Sequence, residues 1–214
     1  MYLLEADLNN VFLAGSMEAL WQFPGDGATY SETNEGYNFI PVDGTFPDIE
    51  ITPSLLNAFE AGDQRRDNWI KETEVNGIPY IYPYKYKKKY LEDSEIREDY
   101  MLLRLSEQYL IRAEARAKLD QPDEALEDLN LVRQRSGLTD ILFTDKETLL
   151  ADIMQERRIE LFAEWGNRWA DLKRTGQANT VLGIKPNWQP TDMLYPIPLG
   201  ELQTNPFLRQ NPGY

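Results

Sequence analysis

The chain has 214 residues, enough for one sizeable core, and its 42% hydrophobic and 27% charged residues are ordinary for a globular domain. It contains neither Cys nor His, which excludes disulfides, thiolate nucleophiles, imidazole bases and the usual nitrogen- or sulfur-ligated metal sites. Any catalytic mechanism would have to rest on Asp, Glu, Lys, Tyr or Ser. The net charge of −14 is unevenly spread: the first 64 residues hold eleven carboxylates and no Lys or Arg. Such a face repels phosphate backbones and anionic headgroups, so nucleic acid, the membrane surface and strongly anionic polysaccharides are all disfavoured as partners.

No apolar run approaches the roughly 18 residues of a bilayer-crossing helix. Met1-Tyr2-Leu3-Leu4-Glu5 lacks the basic start and apolar core of a secretory signal, leaving a cytoplasmic location or an address encoded upstream. Ala19-Leu20-Trp21-Gln22-Phe23 reads as a strand ended by the turn signal Pro24-Gly25-Asp26-Gly27. Residues 24–48 then read as one long loop, rich in Gly, Pro, Asp, Asn and Thr, with Tyr30, Tyr37, Phe39 and Phe46 scattered through it. Thr52-Pro53 opens a helix that should reach about Glu60, with Gly62 as its stop.

Trp69–Thr73 and Ile78–Tyr82 flank Asn76-Gly77, the preferred two-residue hairpin turn, and Pro79 and Pro83 make the second arm an edge strand. From Asp99 the periodicity becomes helical. Leu102, Leu105, Tyr109, Ala113 and Ala117 share a face up to Asp120-Gln121-Pro122, and a second helix follows from Asp123 to Arg135. The pair reads as one helical hairpin of tetratricopeptide type, which cannot bury its own face without neighbours. A third helix is expected over Lys146–Glu164, with Thr144-x-x-Glu147 as a capping box, then a short one between Gly166 and Gly176. The last forty residues are Pro-rich and mostly non-helical.

Three patterns could carry chemistry. Glu156, Glu160 and Glu164 share one helix face at separations of ~6 Å, which overlaps that of glycoside-hydrolase carboxylates. Catalytic carboxylates flank a substrate from separate elements, however, and these lie in one row. Ion pairing with Arg157, Arg158, Arg168 and Arg174 is the better reading. Tyr80, Tyr82, Tyr84 and Tyr86 alternate as on a strand face and could stack on sugar rings, although aromatic strands more often pack on a helix. Lys87, Lys88 and Lys89 read as a solvated run. The 24–48 segment mixes the amides and hydroxyls of Asn34, Asn38, Thr29 and Thr33 with aromatic rings, the combination polar ring-shaped ligands require. The alternative is an ordinary irregular loop. Its carboxylates could hold Ca²⁺, but no EF-hand spacing is present, so no cofactor is expected.

The stretches "EDYMLLRLSEQYLIRAEARAKLDQPDEALEDLNLVRQRSGL", "ADIMQERRIELFAEWGNRWADLKRTG" and "LYPIPLGELQTNPFLRQNPGY" resemble, in order, the helical hairpin, the Glu-rich helix with its Arg-Trp-x-Asp-Leu-x-Arg segment, and the C-terminal signature of the SusD/RagB family of glycan-binding outer-membrane lipoproteins. "TPSLLNAFEAGDQRRDNWI" and "YPYKYKKKY" also resemble family segments. The resemblance implies an outward-facing, non-enzymatic protein of the outer membrane that passes oligosaccharide to a TonB-dependent transporter of the SusC class. It implies scaffold roles for Glu156, Arg157, Arg168, Trp169 and Asp171. Family members are considerably longer, with a signal peptide, a lipidated Cys and further helical repeats upstream. The chain is therefore expected to be the C-terminal portion of such a protein, touching the membrane only through an anchor outside this sequence.

The expected fold is all-α, with tetratricopeptide-like helical hairpins of the α-α superhelix type, long loops and one small β-hairpin. A ligand-side region, 1–98, would stand on a helical scaffold, 99–214, within one compact unit. The residues expected to contact sugar are Tyr30, Asn34, Tyr37, Asn38 and Phe39. Two other functions fit the sequence less well: a tetratricopeptide-like protein-interaction module without glycan binding, and a carboxylate-based glycoside hydrolase.

Overall fold

The computed structural model describes residues 1–25, 33–90 and 97–214, which fall into two units, Met1–Trp165 and Gly166–Tyr214. In the first, the helical hairpin forms where the periodicity placed it. Helix α4 spans Leu105–Lys118 and α5 spans Pro122–Arg135, with Pro in the first turn of α5, where its missing N–H costs nothing. Ala113, Ala117 and Ala125 are buried beside Leu110, Leu129 and Val132. These small side chains let the two helices approach closely. Helix α6, Lys146–Glu160, closes this core with Leu149 and Ile153. Its cap is Asp145, which accepts the Thr148 N–H at 2.8 Å, so the expected Thr144–Glu147 box is not used. The helix also ends at Glu160 rather than Glu164, because Ala163 and Trp165 take left-handed φ values of 55° and 42°.

Ahead of the hairpin the chain builds two small antiparallel sheets, one more than expected. Strand β1 is Ala19–Pro24, and helices α1 (Asn34–Phe39), α2 (Pro53–Leu56) and α3 (Gln64–Trp69) follow it. Helix α2 stops at Leu56, short of the expected Glu60, and α3 contains Trp69, which the alternation had assigned to a strand. Strands β2 (Ile70–Val75) and β3 (Ile78–Pro83) pair in the predicted hairpin. Its turn residues Asn76 and Gly77 both have positive φ, 55° and 78°, as a twist-matching two-residue turn demands. Strand β4, Asp99–Arg104, replaces the expected start of the helix and pairs with β1. The Tyr-Met-Leu-Leu run satisfies either periodicity, and the long-range partner decides between them.

A second apolar cluster gathers Leu8, Val11, Phe12, Ile51, Phe59, Trp69, Tyr86, Met101, Ile159 and Phe162. An ion-pair network beside it links the elements. Glu160, fully buried, accepts from Arg65 at 2.8 Å, from Arg104 at 2.5 Å and from Arg135. Glu156 binds Arg65 at 2.5 Å and Arg133 at 3.3 Å. Glu164 binds Arg104 at 2.9 Å and Lys85 at 2.5 Å, while Glu18 bridges Arg104 and Arg135 at 2.9 and 3.0 Å. The three glutamates are thus paired, as expected, but with cations from distant segments instead of Arg157, Arg158, Arg168 and Arg174. Arg158 instead donates to Ser54, and Arg174 pairs with Asp171 at 2.7 Å. The indole of Trp69 lies under three of the network's cations, with Lys85 Nζ 4.4 Å from its centroid and the Arg135 and Arg104 guanidiniums at 5.6 and 5.7 Å.

The second unit comprises α7 (Asn167–Arg174), α8 (Ala178–Leu182), a 3-10 turn at Pro190–Met193 and α9 (Leu199–Thr204). Trp169 meets Trp188 and Tyr195 edge-on at 6.1 and 6.3 Å. Among the described residues no helix is long and apolar enough to cross a membrane.

Two outcomes follow from the network. Replacing Glu160 by Gln keeps the shape but leaves Arg65, Arg104 and Arg135 short of charge in a dry site. A loss of about 3–5 kcal/mol is expected, read from urea unfolding. Acid should act in the same direction. Burial pushes Glu160 and Glu164 up, but the surrounding Arg and Lys charges outweigh it and hold both carboxyls below the ordinary range. Their contribution is complete above the unfolded carboxylate range and lost as pH falls through the depressed folded values. Glu156, which burial raises, works in the opposite sense. Unfolding free energy measured against pH should therefore drop below the ordinary carboxylate range, and the drop should shrink in Glu160→Gln.

Candidate functional site

The expected ligand loop contains a short helix. Thr33 caps α1: its buried hydroxyl accepts the Gly36 N–H at 3.1 Å and its carbonyl accepts the Tyr37 N–H. Asn34, Tyr37 and Asn38 stand three and four residues apart, so they share one face, and all three are exposed. Asn38 donates its amide to the Asn34 carbonyl at 2.7 Å, which fixes its orientation. Phe39 points away from this face and is half-buried. The structure thus brings Asn34, Tyr37 and Asn38 together and separates Phe39 from them. Tyr30 lies outside the described residues.

The floor under α1 is the segment after β3. Gly36 sits so close to the Lys88 carbonyl that a Cβ there would collide with it. Buried Glu98 holds that segment in place by accepting the backbone N–H groups of Lys87 and Lys88 at 2.6 and 3.2 Å. The three lysines are not a solvated run. Lys87 Nζ donates to the Asn68 carbonyl at 2.7 Å. Lys89 Nζ donates to the carbonyls of Tyr37 and Ile40 at 2.7 and 2.6 Å, and lies 4.9 Å from the Tyr37 ring centroid and 5.7 Å from that of Tyr90. A cation at the end of α1 satisfies carbonyls the short helix leaves open. Tyr37 and Tyr90 meet edge-on at 6.4 Å with exposed rings. Tyr90 went unnoticed in the sequence and Lys89 was read only as part of a solvated run, because their relation to Tyr37 spans some fifty residues; the aromatic run ending at Tyr90 was the available signal.

The alternating tyrosines pack rather than form a platform. Tyr82 and Tyr86 are buried, Tyr80 is edge-on to Phe46 at 5.2 Å, and the Tyr86 hydroxyl accepts the Met101 N–H at 3.0 Å. Burial pushes the Tyr86 phenol far up and the Lys85 ammonium down to about 8. In α1, burial also pushes Glu35 up, its own backbone hydrogen bond opposing the shift. Its Oε2 is buried without a hydrogen-bond partner among the described residues.

Chemically, the described α1 surface offers aromatic faces and side-chain amides, with the Lys89 ammonium beside the Tyr37 ring. The only row of carboxylates considered for hydrolysis is interior and locked to arginines, so it cannot flank a substrate. Among the described residues no group of three or more Asp or Glu side chains is placed to hold a metal ion.

The fold is a helical hairpin carrying small sheets and an exposed polar, aromatic segment, and comparison assigns the family. The sequence model of the SusD family matches residues 76–189. One SusD-like protein of Formosa agariphila is 36% identical over 139 residues, 61% of this chain and 27% of its own length. A second from the same organism is 30% identical over 177 residues, 73% of this chain and 33% of its own. The chain belongs to the SusD family, and it spans about a third or less of these relatives' length. The fold agrees. A SusD superfamily protein from Parabacteroides distasonis superposes over 100% of this chain and 54% of its own with a TM-score of 0.79 at 22% identity. Surface glycan-binding protein A from Bacteroides thetaiotaomicron, in complex with laminarihexaose, covers 98% of this chain and 56% of its own, with a TM-score of 0.74 at 21% identity.

The Lys89 contacts make a direct expectation. Lys89→Met should cost roughly 1 kcal/mol of stability by freeing two carbonyls from a charged donor. It should also speed amide hydrogen exchange across residues 34–40 more than in α4 or α5, as measured by mass spectrometry.

Proposed function

We propose that this chain is the sugar-binding, non-catalytic portion of an outer-membrane surface lipoprotein that captures neutral oligosaccharide and passes it to a TonB-dependent transporter of the SusC class. In this reading α4 and α5 are a tetratricopeptide-like unit of the family's helical scaffold. The sugar site is the outer surface of α1, with Asn34, Tyr37 and Asn38 as its contacts and Tyr90 beside them. Of the set drawn from the sequence, Phe39 lies off this face and Tyr30 lies outside the described residues.

The observation that carries the reading is the face of α1: one exposed ring beside two amides, with the ring steadied by Tyr90 and Lys89. A pyranose presents a C–H face that an aromatic ring can cover and hydroxyls that amides can bind, so the chemistry is complementary. Two structural relatives are named surface glycan-binding proteins, and one of them holds laminarihexaose. The acidic character of the first 64 residues directs the choice toward uncharged glycans.

Affinity electrophoresis of the chain in gels containing neutral polysaccharides tests the proposal. The parent chain should be retarded by at least one glycan, and Tyr37→Ala should weaken that retardation by about tenfold, close to 1.4 kcal/mol. Retardation unchanged in Tyr37→Ala would remove the site from α1. Co-purification of a specific protein partner with no glycan effect would favour the interaction-module reading.

A further inference from the structure

The tip of the β2–β3 hairpin differs chemically from the rest of the surface. Asn76 is followed by Gly77, whereas every other asparagine in the sequence is followed by a residue that carries a side chain. A side chain on the following residue crowds the approach of its own main-chain nitrogen to the asparagine amide carbon. Glycine removes that obstacle. Asn76 and Gly77 are both exposed, and apart from chain neighbours no atom lies within 4 Å of where a Gly77 Cβ would stand. The Asn76 side chain makes no hydrogen bond to another described residue, so its amide is open to water and to the main chain beside it.

The closed turn restrains that reaction. Asn76 and Gly77 take left-handed φ values of 55° and 78°. Joining the Asn76 side chain to the Gly77 nitrogen in a ring turns the Asn76 main chain out of the conformation a two-residue turn demands. Ring closure therefore proceeds from an opened tip, and opening is local. Strands β2 and β3 form a two-stranded sheet, a unit with little stability of its own. Near the tip Val75 is buried, but Glu74, Ile78 and Pro79 are exposed. Further along, Tyr82 is buried and the Ile81 carbonyl accepts the Ile51 N–H at 2.7 Å. The base of the hairpin is thus anchored while its tip can open.

We propose that Asn76 is a site of spontaneous deamidation, in which the Gly77 main-chain nitrogen attacks the Asn76 side-chain amide and the hairpin turn becomes mainly isoaspartate. A bond forms between the Gly77 nitrogen and Asn76 Cγ, and the C–N bond of the side-chain amide breaks. The proton from the Gly77 nitrogen leaves with the amide nitrogen as ammonia. Water then adds to one of the two carbonyls of the cyclic imide and opens it. One opening gives aspartate; the other runs the main chain through the side-chain carbon and gives isoaspartate. That longer main chain does not fit a two-residue turn, because loop length selects the turn and with it the register. The Val75–Ile78 pair should separate first. The new carboxylate also stands at the same tip as exposed Glu74 and adds like charge there. This site is independent of the assignment of sugar binding to α1.

The test is peptide mapping by mass spectrometry of the folded chain during incubation at mildly alkaline pH. Isoaspartate is detected with an isoaspartyl methyltransferase, and a synthetic peptide of residues 70–83 gives the unrestrained rate. In the folded chain Asn76 should convert faster than any other asparagine, and about tenfold more slowly than in the peptide. Gly77→Ala in the peptide should slow conversion by a further factor of about ten. The isoaspartate form, separated by ion exchange, should show faster amide exchange in residues 73–80, with residues 33–40 and α4 at parent rates. Asn76→Asp, which adds the charge without lengthening the main chain, should keep near-parent exchange. Conversion of Asn76 no faster than that of other asparagines would overturn the site. A folded chain that converts as fast as the peptide would overturn the restraint by the closed turn. Exchange in residues 73–80 that is unchanged in the isoaspartate form, or equally raised in Asn76→Asp, would overturn the longer main chain as the cause.

Discussion

Glu160 is the residue on which the first unit depends. It is fully buried, and its carboxylate draws Arg65, Arg104 and Arg135 from three separate stretches of sequence to one point. A carboxylate and a guanidinium each lose several kcal/mol of hydration when buried, and their attraction offsets this only where geometry and hydrogen bonding are nearly complete. Here the completion is shared: Glu18, Glu156, Glu164 and Asp63 take most of the remaining guanidinium donors, Arg135 Nε being left without a partner among the described residues, and the face of Trp69 covers Lys85, Arg104 and Arg135. Burial alone would leave Arg65 and Arg104 easier to deprotonate, yet the neighbouring carboxylates reverse that and hold both charged. The network is better understood as a device of registry than of raw stability. It fixes where β1, α3, β4, α5 and α6 meet, since a slip in any one of them strands a charge.

That registry reaches the proposed binding surface in two steps. Arg104 ends β4, and β4 holds β1 and carries Tyr100, whose hydroxyl meets Asn34. Lys85 anchors the segment after β3 to Glu164 and the Glu160 carbonyl, and four residues later Lys89 holds the end of α1. A six-residue helix has little stability of its own. Its place is set by Thr33 at one end, Lys89 at the other and the close seat of Gly36 on the Lys88 carbonyl. The exposed rings are thus carried by a local element braced from both sides. This suits a surface proposed to bind an uncharged ligand without losing much freedom on binding.

Where periodicity was long or a turn was chemically forced, the sequence was easy to read. The α4–α5 hairpin, bounded by Asp120-Gln121-Pro122, and the Asn76-Gly77 turn were legible because local propensity and tertiary packing agree there. Asp99–Arg104 was misread because its apolar run suits a helix face as well as a strand, and its partner β1 lies some eighty residues earlier. The same reason hid the cations of the glutamate row: the local arginines Arg157 and Arg158 were visible, whereas Arg65, Arg104 and Arg135 converge only in three dimensions. At the candidate site, Asn34, Tyr37 and Asn38 were found by composition, but the helix that puts them on one face was not. Six residues punctuated by glycine give too weak a helical signal.

Hydrogen-exchange footprinting of the chain with and without a neutral oligosaccharide such as laminarihexaose tests the central claim most directly, since it asks where the ligand sits without altering a residue. Bound ligand should slow exchange in residues 33–40, while amides in α4, α5 and α6 keep their parent rates. Protection confined to the helical hairpin, with α1 unchanged, would contradict the account and place recognition on the scaffold.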